Sequence, residues 1–207
     1  MARTLAKADT ASRDKEPIDL GDHAADNLRF IRETMERATH FTGVPGWGGM
    51  LMGATAIAAA FQANYQADRR DWLLVWLIEA ALAFAIGVVT MWQKSKFVAQ
   101  PISSAVGRKF VNGFAPPLIA GAIVTLGLWR YDQYEIMAPV WMVLYGAAVI
   151  CGGAFSVRVV PVMGWIFMAL GGAAFILPAA NGNLMMGLSF GLLHIVFGAI
   201  IARKYGG

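Results

Sequence analysis

The sequence is poor in charge and in cysteine. Only 14% of its 207 residues are Asp, Glu, Lys or Arg, whereas a soluble domain carries about 25%. The single cysteine, Cys151, excludes an intramolecular disulfide and any metal site built from several thiolates. The first 40 residues contain no apolar stretch and several acidic residues, which argues against a secretory signal and a mitochondrial transit peptide. We therefore expect the first apolar segment to serve as an uncleaved membrane anchor.

Apolar residues are abundant instead. They make up 57% of the chain, and the mean hydropathy is +0.55. Six apolar segments are each about as long as a helix must be to cross a hydrocarbon core of about 30 Å. In the third segment, Pro116 and Pro117 predict a kink or a delayed start. We predict an all-α polytopic membrane protein with a six-transmembrane-helix bundle in residues 44–207, with spans at about 45–64, 72–92, 110–129, 136–155, 159–177 and 183–202.

The N-terminal region has a different character from the rest of the chain. Residues 1–21 are polar and mixed in charge, so we predict a disordered tail. Residues 22–43 predict a cytoplasmic amphipathic helix that Asp22 caps. Its narrow apolar stripe consists of Leu28, Ile31, Met35 and Ala38. This helix (22–40) can dock a cytoplasmic protein partner, self-associate, lie on the lipid bilayer or simply pack under the bundle.

Lys and Arg residues are unevenly distributed between the two sides of the predicted bundle. The N-terminal region, the loop at 93–109, the fourth loop and the C-terminus together hold 14 of the 17. The positive-inside rule places this side, and both termini, in the cytoplasm. The same distribution explains the net charge of +4 without a nucleic acid partner. We expect an integral protein of the bacterial inner (plasma) membrane, with the loop at 93–109 as a basic interfacial elbow.

Two ionisable residues deep in the predicted spans are candidates for function. Glu79 is the only acidic residue deep in any predicted span, and His194 lies in the middle of the last one. A charge inside the membrane is costly, so such residues are functional candidates by default. Their predicted depths differ by about one helical turn, which allows a direct Glu79–His194 hydrogen bond, with Tyr145 and Thr55 at similar levels. The alternative is a protonated Glu79 that merely links two helices.

Glycines predict where helices touch, because small residues let membrane helices approach closely. In the last span three glycines share a helical face with His194, and two more lie in the first span. These predicted helix-packing residues are Gly49, Gly53, Gly187, Gly191 and Gly198.

A pattern of Val-Pro-x-x-Gly-x-x-x-Met occurs twice, at residues 44–52 and 160–168. The first copy begins the first span, and the second begins the fifth. This repeated pattern suggests that spans 1–2 and 5–6 are parallel copies of one hairpin. Duplications of this kind occur in transporters.

The stretch GLSFG at residues 187–191 matches the G-x-S-x-G pattern of serine hydrolases. That elbow requires a strand-turn-helix context. Ser189 and His194 lie about 140° apart around an α-helix, so they cannot pair as nucleophile and base. Six spans with a serine and a histidine are also similar to rhomboid-type intramembrane proteases, in which the two residues come from different helices. We expect no catalytic residue, metal or cofactor, since a haem would need a second axial ligand.

The ending FGLLHIVFGAIIARKYGG resembles the C-termini of uncharacterised bacterial six-span integral membrane proteins. The resemblance covers roughly the last third of the chain and implies no activity. The charged N-terminal region favours a non-enzymatic protein with a sensing, regulatory or scaffolding role through a cytoplasmic partner. Glu79 and the repeated pattern favour the alternative, a small-solute or proton-coupled transporter.

Overall fold

A computed structural model describes residues 27–31, 41–98 and 101–206. The chain divides into two units, Met1–Ala38 and Thr39–Gly207. In the first unit, residues 27–31 are helical and their side chains are exposed. The 1–21 tail and the rest of the predicted amphipathic helix up to residue 40 lie outside the described residues.

The described part of the second unit is helical, and the prediction of an all-α protein is confirmed. A 3-10 turn at Tyr134–Ile136 leads directly into the fourth helix, and the sixth contains a π-helical segment at Gly187–Leu193. The helices are α1 at Gly46–Asn64, α2 at Arg69–Phe97, α3 at Ala105–Arg130, α4 at Met137–Gly153, α5 at Val159–Ile176 and α6 at Ala179–Tyr205.

Five helices, α2 to α6, are long and apolar enough to cross a membrane. They indicate a membrane protein, as the composition predicts. The remaining helix, α1, has 19 residues but is less apolar, because it contains four glycines and ends in Gln62-Ala63-Asn64.

The helices pack as two groups of three. In one group α1 contacts α2 and α6, and in the other α4 contacts α3 and α5. Glycines let the central helices approach their neighbours closely: Gly53 of α1 lies against Gly191 of α6, and Gly146 of α4 lies against Gly164 of α5. A Cβ atom added to Gly146 would lie 2.7 Å from the Gly164 carbonyl oxygen, so only glycine fits this crossing.

The connection between α2 and α3 differs from the prediction. Because α2 continues to Phe97 and α3 begins at Ala105, much of the predicted elbow at 93–109 is helix. The Ser104 hydroxyl caps α3 by accepting a hydrogen bond from the Gly107 amide at 3.1 Å. The prolines lie inside α3, so the predicted delayed start is wrong. Membrane helices tolerate internal proline because neighbouring groups satisfy the freed backbone carbonyls.

The packing also contradicts the hairpin repeat. Gly48, in the first copy of the pattern, lies against Thr90 of α2, the helix that follows α1. Gly164, in the second copy, lies against Gly146 of α4, the helix that precedes α5. Since the two copies face different neighbours, α1–α2 and α5–α6 are not equivalent hairpins.

Candidate functional site

His194 and Tyr145 form a hydrogen bond that joins α6 to α4, and thereby joins the two groups of helices. The Tyr145 hydroxyl lies 2.7 Å from His194 Nε2, and His194 is only 6% exposed. Two phenylalanine rings pack beside the pair, with the centroids of Phe167 and Phe190 at 4.8 and 4.9 Å from that of Tyr145. Loss of either partner would leave a polar atom among apolar rings, which is costly.

The backbone before His194 departs from a regular α-helix. Residues Gly187–Leu193 form a π-helical segment, and such segments occur frequently at functional sites. The second ring nitrogen, Nδ1, is buried and has no hydrogen-bond partner among the described residues. One polar atom of this core is therefore left unsatisfied.

Glu79 of α2 forms a hydrogen bond with Thr55 of α1. The Thr55 hydroxyl donates to Glu79 Oε1 at 2.9 Å, and Glu79 is only 7% exposed. The pair lies beside a groove of about 440 Å³ between α1 and α2, whose other lining residues are Ala58, Ala59, Gln62, Val75, Ile78 and Leu82. Glu79 is thus a buried carboxyl group with one side-chain partner and an adjacent apolar groove.

The predicted Glu79–His194 hydrogen bond is wrong. In the structure α1 packs against both α2 and α6, with Thr55 facing α2 while Gly49 and Gly53 face α6. The four candidate polar residues therefore form two separate pairs. Predicted depth placed them at similar levels but carried no information on which helix lies between them.

The five candidate glycines all lie where α1 and α6 meet. A Cβ atom added to Gly53 would lie 2.5 Å from the Gly191 carbonyl oxygen. Gly49 lies against Gly198, and Gly187 faces the far end of α1. These contacts follow the helix pair along most of its length, so the small residues determine how closely α1 and α6 approach.

Ser189, the serine of the G-x-S-x-G match, is fully buried. Its hydroxyl donates to the Met185 carbonyl of the same helix at 2.8 Å. His194 bonds to Tyr145 instead, so this motif provides no nucleophile–base pair.

A row of ring contacts, which the sequence analysis missed, leads from the His194–Tyr145 pair to the start of the bundle. Ring centroids are 6.1 Å apart for Tyr145 and Phe114, 5.7 Å for Phe114 and Phe110, and 5.2 Å for Phe110 and Phe41. We call Phe41, Phe110, Phe114 and Tyr145 the aromatic row. The spacing of Phe110 and Phe114 by one helical turn is a usable signal, whereas Phe41 falls inside the predicted amphipathic helix at residues 22–43.

Phe41 is held by its backbone as well as by its ring. Its amide donates to the Phe155 carbonyl at 2.7 Å, and the Ser156 hydroxyl donates to the Phe41 carbonyl at 2.7 Å. The side chain is fully buried, and residues 41–45 are not helical, so the predicted helix end at residue 43 is wrong. The first described residue of the second unit is thus fixed to the loop between α4 and α5.

At the opposite end of the bundle, a cluster of polar side chains links α1, α2 and α6 by hydrogen bonds. Asn183 Oδ1 accepts hydrogen bonds from Trp72 Nε1 at 2.7 Å and from Trp76 Nε1 at 3.2 Å, and its amide donates to Asn64 Oδ1 at 2.8 Å. Trp72 also stacks on Trp141, with centroids 5.7 Å apart. Beside this cluster lies a cleft of about 260 Å³, lined by the loops after α1, α3 and α5.

No protein-family model, curated protein or solved structure matches the chain. Its function is therefore inferred from the two polar pairs, the aromatic row and the fixed position of Phe41.

Proposed function

We propose that the protein is a non-enzymatic membrane protein with a sensing, regulatory or scaffolding role, exerted through a cytoplasmic partner of residues 22–40. The aromatic row carries this proposal. It connects the His194–Tyr145 bond, where the two helix groups meet, with Phe41, which closely follows the end of the first unit at Ala38. A shift of α6 against α4 would therefore be transmitted to Phe41, the first described residue of the second unit.

The described part of the N-terminal helix supports a docking role. Leu28 and Ile31 are 67% and 51% exposed, and both are on the predicted apolar stripe. Neighbouring exposed apolar side chains are typical of surfaces that bind other proteins. A cytoplasmic protein or a second copy of the same helix would cover them.

We also propose six spans, with both termini in the cytoplasm of a bacterial inner membrane. Contacts of Gly46 with Ala202 and of Gly187 with Ala60 show α1 running along α6. A helix that packs along a spanning helix crosses the membrane with it, and its buried glycines and alanines need not face lipid. The excess of Lys and Arg on the side of the termini supports the orientation.

A spin label on a cysteine introduced at Leu28 tests the proposed coupling, in a full chain whose own cysteine is replaced by serine. Tyr145→Phe keeps the ring but removes the hydroxyl that pairs with His194, and we expect it to change the mobility of the label. Thr125→Val is the control, because it removes another interhelical hydrogen bond of α4 outside the aromatic row. Equal responses to both variants, or no response to either, would exclude coupling through the row.

The partner is tested by site-specific photo-cross-linking from Ile31 of the full chain in intact cells. A product with one defined cytoplasmic protein supports the partner, and a product of twice the chain mass supports self-association. Cross-links to lipid alone would contradict both forms of the proposal.

A second candidate function is small-solute or proton-coupled transport with Glu79 as the proton carrier. It is favoured by the burial of the Glu79–Thr55 pair beside the groove between α1 and α2. Glu79→Gln should then abolish pH-dependent uptake into proteoliposomes without unfolding the protein. Uptake that persists in this variant, or no uptake by the parent protein, would exclude Glu79-driven transport.

A further inference from the structure

Charged side chains are sorted to the two ends of the described bundle. Where α2 and α6 finish and α3 and α5 begin, the described residues include seven Lys and Arg and no Asp or Glu. The opposite end, formed by the loops after α1, α3 and α5 and the adjoining helix ends, carries three basic and four acidic residues, with an Arg69–Glu135 ion pair at 3.4 Å. We call the first of these surfaces the basic end; it comprises Lys94, Lys96, Arg108, Lys109, Arg158, Arg203 and Lys204.

Lys94 is the one buried member of the basic end, and it links α2 to the residues that flank α1 and α6. Its ammonium group donates to the Val44 carbonyl at 3.0 Å and to the Gly206 carbonyl. This contact brings the end of α6 to the end of α2. Three exposed basic residues therefore form one group at this corner: Lys96, Arg203 and Lys204.

The other exposed basic residues lie in the loop between α4 and α5 and near the start of α3. Lys109 Nζ lies 6.0 Å from the centre of the Phe155 ring, Arg158 follows in the same loop, and Arg108 lies beside Lys109 in α3. Among the residues that the structure describes, no carboxylate pairs with any of the six exposed bases. Their charge is therefore not compensated within the described bundle.

Tryptophans place the basic end at the level of lipid headgroups. Indole side chains concentrate at the membrane–water interface, and the part of α2 between Trp72 and Trp92 is about 30 Å long, the thickness of a hydrocarbon core. Lys96 Nζ lies 3.4 Å from the centre of the Trp92 ring, and the neighbouring Phe97 is 90% exposed. Cationic and apolar groups thus alternate at the height where headgroups meet acyl chains.

We propose that the basic end is a binding surface for the headgroups of anionic phospholipids. Charge complementarity selects this occupant, since clusters of Lys and Arg beside membrane helices attract anionic lipids. The opposite end, with nearly balanced charge, provides an internal comparison. This proposal does not depend on signalling through the aromatic row, so each can fail without the other.

The test uses the full chain in bilayers that contain brominated phosphatidylglycerol or brominated phosphatidylcholine, with quenching of tryptophan fluorescence as the readout. We expect tighter binding of the anionic lipid at low salt and a preference that shrinks as salt screens the charges. A basic-end variant with Arg108→Gln, Lys109→Gln and Arg158→Gln should lose most of the preference, on the order of fivefold for each charge. The control with Arg69→Gln, Arg70→Gln and Arg130→Gln should retain it.

Each alternative outcome overturns the proposal in a different way. If the basic-end variant keeps the preference while its unfolding in phosphatidylcholine is unchanged, the basic end does not bind these lipids. If both triple variants lose the preference equally, net charge rather than this surface is responsible. If millimolar inorganic phosphate displaces the brominated phosphatidylglycerol, the surface is a site for free anions instead.

Discussion

Gly53 offers the sharpest test of the packing between α1 and α6. A Cβ atom at this position would lie 2.5 Å from the Gly191 carbonyl oxygen and 3.0 Å from the Ile195 amide nitrogen, so Gly53→Ala meets backbone that cannot rotate away. Overpacking of this kind costs about 1–3 kcal/mol. At Gly172 of α5 no atom lies within 4 Å of the added Cβ. Gly172→Ala should therefore show only the helical preference for alanine, about 0.5–1 kcal/mol of stabilisation.

The neighbouring glycines should give a graded series. The closest atom to a Cβ on Gly191 is the Ile57 Cγ1 at 2.6 Å, a side chain that can adjust, so Gly191→Ala should cost less than Gly53→Ala. At Gly49 the closest atom, Gly198 Cα, is at 3.4 Å, an ordinary contact, so alanine should be tolerated there.

Unfolding of the purified protein by SDS titration, followed by tryptophan fluorescence, measures these differences. We expect the free energy of unfolding to fall for Gly53→Ala, to fall less for Gly191→Ala and to stay level or rise for Gly172→Ala. If Gly53→Ala is as stable as Gly172→Ala, α1 does not pack on α6 in this way, and the support that this packing gives to a sixth span is lost.

Three further predictions follow from the polar pairs and the topology. Tyr145→Phe should lower the free energy of unfolding by about 1–3 kcal/mol in the same titration, because it leaves His194 Nε2 without its partner. Thr55→Val should lower the free energy of unfolding more than Glu79→Leu does. Thr55→Val leaves a buried carboxyl group without its hydrogen-bond partner, whereas Glu79→Leu leaves the Thr55 hydroxyl, which still bonds to the Met52 carbonyl. Reporter fusions in the loop after α1 should read external and those in the loop after α2 cytoplasmic; a cytoplasmic signal after α1 would contradict six spans.

The five long apolar helices were predictable because hydropathy and length are properties of each segment alone. The predicted third span began at residue 110, although α3 starts at Ala105, because the helix continues into polar sequence that Ser104 caps. Hydropathy identifies the part of a helix that can enter lipid, whereas capping residues and backbone geometry determine where the helix begins and ends. The same separation explains why α1 forms a helix without being strongly apolar: much of its surface faces other helices rather than lipid.

The candidate site was only partly predictable. The depth of a residue in its span and the helical face it lies on are local properties, whereas the identity of the helix packed against that face is not. The position of Glu79 in its span indicated burial, and the glycines near His194 indicated a helix contact, but neither could identify the partner helix. That choice depends on α1, whose glycines admit α6 on one side while Thr55 reaches Glu79 on the other. The aromatic row was harder still to foresee, since its members come from two helices, α3 and α4, and a non-helical segment at residue 41. The contacts of the aromatic row therefore arise from tertiary packing, and sequence periodicity within any one helix does not contain them.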